Sequence, residues 1–93
     1  MGSRAERKQR RLDKIGAYKE QINKAYMDYM VELARKCIAE GDRDANEGEI
    51  HQANMVQRNK VIELVKAYPQ EKELIVTANN EYVNESIEKY KKV

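Results

Sequence analysis

Apolar residues recur at helical spacing from Leu12 to Cys37. Leu12, Ile15, Tyr18, Ile22, Tyr26, Tyr29, Leu33 and Cys37 fall on one stripe when side chains are set at 100° per residue. That stripe is about 120° wide, the ordinary width of a packed helix face. From Ala25 onward a second apolar strip joins it, made of Met27, Met30, Val31, Ala34 and Ile38, and the combined arc is roughly 220°. The C-terminal half of this helix is therefore expected to be buried on most sides. Its N-terminal third has only Ala5 and Leu12 to bury. Ser3 with Glu6 three residues on is a capping box, in which hydroxyl and carboxylate each satisfy an orphan backbone N–H. Gly41 supplies the left-handed residue that commonly closes a helix. The pattern predicts one helix over about residues 3–40, roughly 55 Å long.

Two shorter helices follow. Asn46 with Glu49 repeats the capping-box spacing, and Val61, Leu64, Val65 and Tyr68 form an apolar face with Ile62 beside it. This places the second helix at about 47–68. Its first half mixes Ile50, Ala53, Met55 and Val56 with His51, Gln52, Asn54, Gln57, Arg58 and Asn59. That amide-rich surface is either a solvated face or a hydrogen-bonding contact. Pro69 disfavours helical geometry at Tyr68 and suits the first turn of a new helix. The third helix, at about 70–91, carries Leu74, Ile75, Ala78, Tyr82, Val83, Ser86, Ile87 and Tyr90 on one face, with Val76 flanking. Lys89, Lys91 and Lys92 at its end complement the helix dipole.

Three helices joined by short loops make an all-α, three-helix bundle with consecutive helices antiparallel. The whole chain, residues 1–93, is read as a single domain. Folded back from Gly41, the second helix is long enough to reach only about Tyr18 or Lys19. Residues 1–14 are then a helical arm that overhangs the bundle by roughly 20 Å.

Composition changes this picture in one place. Net charge is only +2, yet residues 1–14 hold six cations, Arg4, Arg7, Lys8, Arg10, Arg11 and Lys14, against Glu6 and Asp13. The other seventy-nine residues are slightly acidic. Charge and geometry, read independently, pick out the same segment. The six cations surround the helix rather than form one stripe. The wide apolar arc points to a second surface. Two neighbouring helices do not cover all of it, so Met27, Met30, Val31, Ala34 and Ile38 are the candidate interface of a homodimer.

Other chemistry finds little support. The single Cys37 lies on the apolar stripe and excludes an intramolecular disulfide framework. With no apolar leader stretch, a cytoplasmic setting is expected. No apolar run is long enough to span a membrane. Met1-Gly2 opens like a myristoylation signal, but Glu6 stands where Ser or Thr is wanted. Asp42, Asp44 and Asn46 alternate like a calcium loop, but Glu47 replaces its glycine and Ala53 its closing glutamate. His51 is the only histidine, and Glu47 beside it completes no metal site. No metal, cofactor or catalytic residue is assigned, and the chain is read as non-enzymatic.

The functional expectation follows from the arm. Clustered Arg and Lys on a projecting helix suit the phosphate backbone of DNA or RNA, without predicting a base sequence. Neutralising about five phosphates gives a salt slope near −4.5. The alternative is a protein-interaction module, an adaptor, assembly factor or inhibitor, whose arm meets an acidic protein surface. A membrane-surface anchor is disfavoured because the arm lacks an apolar face.

Overall fold

The structure, a computed structural model, describes residues 3–91. The expectations on Met1-Gly2, Lys92 and the side chain of Tyr90 lie outside the described residues. Three helices are present in the expected order. Helix α1 spans Arg4–Ala39, α2 Glu47–Ala67 and α3 Lys72–Lys91. A single 3-10 turn, Pro69–Glu71, joins α2 to α3.

The caps are local and follow from the sequence. Ser3 Oγ accepts from Glu6 N at 3.2 Å, and Ser3 N donates back to the Glu6 carboxylate at 3.3 Å. Asn46 and Glu49 do the same for α2, at 2.8 and 3.0 Å. Gly41 takes φ +93°, the left-handed region that favours glycine, and Asp42 follows at φ 56°. Amides of Gly41 and Asp42 then return to the Ile38 carbonyl at 3.2 and 3.3 Å.

Helix α1 is the shared partner of the other two. Helix α2 runs back along it and ends beside Tyr18, whose ring lies 6.0 Å from that of Tyr68. Helix α3 then runs parallel to α1. Its start meets Arg11 and Lys14 through Glu73 and Glu71. Its middle meets Lys19 through Glu81 and Glu85, and Ser86 and Ile87 share a cleft with Tyr26. The core sits where all three helices overlap: Ile15, Tyr18 and Ile22 from α1, Leu64 from α2, Ile75 and Ala78 from α3. Val61, Val65, Leu74 and Tyr82 pack around it.

The expected burial of α1 is corrected by this geometry. The densest core lies around Ile15–Ile22, not in the C-terminal half of the helix. Among the described residues, the ion pairs and clefts that α3 shares with α1 run from Arg7 to Tyr26. Toward the α1–α2 loop the fold narrows to a two-helix hairpin. Leu33, Cys37 and Ala53 are buried there. Met27, Val31 and Ile38 remain 47%, 45% and 65% exposed, Ala34 is exposed, and Met30 is half-buried. The molecule is accordingly elongated, 59 × 32 × 17 Å. Its radius of gyration is 16.2 Å, against about 12 Å for a compact chain of this length.

Candidate nucleic-acid interface

Burial on α1 begins at Ile15, so the arm stands clear of the core. Its capping box fixes the first turn and occupies Glu6. Asp13 accepts from Gln9 Nε2 at 2.9 Å. Neither acid of the arm pairs with an arm cation among the described residues.

The six cations divide into two groups. Arg4, Arg7, Lys8 and Arg10 are exposed and make no ion pair among the described residues. Arg11 and Lys14 are held by the turn that starts α3. Arg11 reaches Glu73 at 3.3 Å, and Lys14 Nζ lies 2.8 Å from Glu71 Oε2. Contact therefore extends one helical turn further along the arm than helix lengths alone indicate.

Glu71 ties this end together. Its other oxygen accepts from the Tyr18 hydroxyl at 2.6 Å. The Lys14 ammonium, and then the Tyr18 hydroxyl, hold the Glu71 carboxyl below the usual carboxylate range. Burial of Tyr18, reinforced by the Glu71 carboxylate, pushes its phenol up to about 12. The Tyr18 hydroxyl is thus a fixed donor at neutral pH, part of the packing.

The cations also form a stripe that reading around the helix missed. Arg7, Arg10, Arg11 and Lys14 line one shallow cleft of about 400 Å³ with Glu73 and Leu74. Their spacing of three, four and seven residues from Arg7 is the signal that finds it. Arg4, three residues before Arg7 and seven before Arg11, continues the same face toward the helix start, and Lys8 lies at its edge. An extended polyanion can lie along such a stripe, and Arg offers planar donor forks to phosphate oxygens.

Three other features sit elsewhere. The candidate interface residues Met27, Val31, Ala34 and Ile38 share the outer side of the two-helix end. The amide-rich start of α2 is partly committed, since Gln57 Nε2 donates to Asn79 Oδ1 across to α3. The loop between α1 and α2 holds a cluster the sequence reading did not single out. Arg43 forms a fork on Glu49 at 2.8 and 3.0 Å and also reaches Glu40 at 2.6 Å. The Arg43 hydrogen bonds, and then the Asn46 amide, hold the Glu49 carboxyl down at about 2. Arg43 is raised in turn by its two carboxylate partners. The capping box at Glu49 was visible in the sequence, but its second partner was not.

Among the described residues no group of three His, Cys, Asp or Glu side chains is placed to hold a metal. No described helix is long and apolar enough to cross a membrane. Comparison with protein-family models, curated proteins and solved structures finds no match to this chain.

Proposed function

We propose that this is a small, non-enzymatic helical protein of the cytoplasm that binds the phosphate backbone of DNA or RNA through its N-terminal arm. It acts as a homodimer through Met27, Met30, Val31, Ala34 and Ile38. One observation carries the reading: Arg4, Arg7, Lys8 and Arg10 are exposed, make no ion pair among the described residues, and cluster on a helix end clear of the core. Unpaired cations at this density attract a polyanion before any specific contact forms. Phosphate contacts of this kind set position and affinity, not sequence.

The test is a salt-series titration with mixed-sequence DNA and RNA. Four phosphate contacts give a slope of about −3.6 in log affinity against log salt on duplex DNA. Changing Arg7, Lys8 and Arg10 together to Gln reduces that slope to about −0.9. A slope near zero for the unaltered chain ends the reading.

One observation favours the second reading, an adaptor or inhibitor that docks on an acidic protein. Arg11 and Lys14 already take carboxylates, from Glu73 and Glu71. Absence of any nucleic-acid complex at low salt, with a defined acidic partner bound through the same cations, selects it.

A further inference from the structure

Helix α3 lies in a groove between α1 and α2, and that groove continues toward the α1–α2 loop past the described residues of α3. On α1 the ridge facing α3 passes through Lys19 and Asn23, which share a cleft with Tyr82 and Glu85. Steps of three and four residues carry the same ridge on to Met27, Met30, Ala34 and Ile38. On α2 the ridge facing α3 passes through Gln57, bonded to Asn79. The same steps lead back to Asn54, Ile50 and Glu47, and Ile50 is 51% exposed. The open part of the groove is thus apolar on its α1 wall and carries Ile50 on its α2 wall. Among the described residues no third helix fills it.

We propose that a second copy of this chain fills it. Its α1 runs antiparallel to the first, so that two hairpin ends form one four-helix layer about a two-fold axis near residues 32 and 33, at about 8–10 Å between α1 axes. The inference rests on the homodimer reading above and names its architecture.

Two complementarities choose this occupant. The first is size. Antiparallel pairing about that axis sets Met27 of one copy against Ile38 of the other, at both ends of the contact. It sets Val31 against Ala34 near the axis, where the helices must approach most closely and the small residue leaves room. The second is charge. The hairpin tip of each copy abuts the C-terminal turn of α3 in the other. That turn carries Lys89 and Lys91, which make no ion pair among the described residues. The tip carries Asp42, Asp44 and Glu47, also without ion pairs among the described residues, because Arg43 is committed to Glu40 and Glu49. Acidic tip therefore meets basic helix end, where the α3 dipole also favours its lysines.

The arrangement has a dimension. The arms point away from each other, with Lys8 and its equivalent roughly 75 Å apart. Two turns of B-form duplex measure about 70 Å. If the arm reading holds, one duplex receives both arms on the same face, and affinity rises sharply once the duplex exceeds two turns.

The experiment uses the full chain carrying Cys37→Ala and Glu20→Cys, with a nitroxide on the new cysteine. Sedimentation gives the oligomeric state, and pulsed electron resonance gives the label separation. The antiparallel dimer gives about 40 Å, whereas parallel packing of the same faces gives about 15 Å. Ala34→Glu, a change at an exposed position of the single copy, weakens self-association by about tenfold or more without loss of helical signal. Reversing Lys89 and Lys91 to Glu weakens it as well, and Asp42→Lys with Asp44→Lys restores it. A monomer throughout, a short label distance, or a dimer indifferent to Ala34→Glu overturns the proposal. So does a monomer that takes up only a helix of another protein. The triple Gln variant of the arm keeps the 40 Å separation, so failure of nucleic-acid binding and failure of the dimer are read separately.

Discussion

The two halves of this molecule are built on the same helix and differ in how many neighbours that helix has. Around Ile22 and Ile75, both 0% exposed, three helices close a core. Around Ala34, two helices bury Leu33, Cys37 and Ala53 and leave apolar residues facing out. The α1 sequence is, if anything, more apolar in the second half. Burial is therefore set by where α3 lies along α1, and apolar content alone is a poor guide to the core of a small bundle.

Core substitutions sharpen the contrast most. Ile22→Ala or Ile75→Ala removes about 3 kcal/mol or more in urea unfolding, since each leaves a cavity in a site that three helices hold open. Ile38→Ala, in a chain kept dilute, changes stability by less than about 0.5 kcal/mol. Equal losses at the two positions would break the comparison.

The next largest effect concerns the loop at the two-helix end. Arg43→Ala removes the fork on Glu49 and the bond to Glu40. Hydrogen exchange then quickens across residues 36–50, while the amides around Ile22 and Ile75 keep their protection.

Acid weakens both halves, and base weakens only the three-helix one. Glu49 is held at about 2 by Arg43 and Asn46, against about 4.3 for an unfolded glutamate. A depressed folded value stabilises the fold fully above the unfolded value, and the contribution is lost as pH falls from about 4.3 through 2. Glu71 is depressed in the same direction by Lys14 and Tyr18, so it adds to the same acid window. Glu49→Gln flattens the acid limb of a stability–pH curve. At the other extreme Tyr18, raised to about 12, contributes stability that is whole below pH 10 and fades as pH climbs through 12. Tyr18→Phe removes that alkaline limb.

The smallest effect is a gain. Gly16 lies inside α1, and a Cβ there meets no atom within 4 Å. Gly16→Ala raises stability by about 0.5–1 kcal/mol through helix propensity and the unfolded chain. A loss on urea unfolding would mean that α1 needs the glycine.

The ends of the helices were legible in the sequence because their signals are local. Ser3 with Glu6, Gly41, Asn46 with Glu49, and Pro69 each act within four residues, and each marks a boundary in the structure to within a residue or two. The third helix begins slightly late only because Pro69–Glu71 winds as a 3-10 turn. Helical periodicity also gave the direction in which each side chain points. It carried no information on how far α3 slides along α1. That offset is set by contacts distant in sequence, such as Tyr18 with Tyr68 and Glu71, and Arg11 with Glu73. Glu71 and Glu73 were visible as acids suited to a helix start, and nothing near them in sequence names their partners. The stripe of Arg7, Arg10, Arg11 and Lys14 was there to be read, but it becomes a wall of a cleft only when α3 arrives.

The Arg43 clamp also bears on the order in which the chain folds. Its partners Glu40 and Glu49 lie within six residues of it, so the loop it closes is short and cheap in entropy. The core needs Ile15 to meet Ile75 and Ala78, across most of the chain, and such distant contacts slow folding. Substitutions at Arg43 and Glu49 should therefore act mainly on the folding rate, with φ values near one, while those at Ile75 act mainly on unfolding. The end of the molecule with the fewest tertiary neighbours would then be the end that forms first.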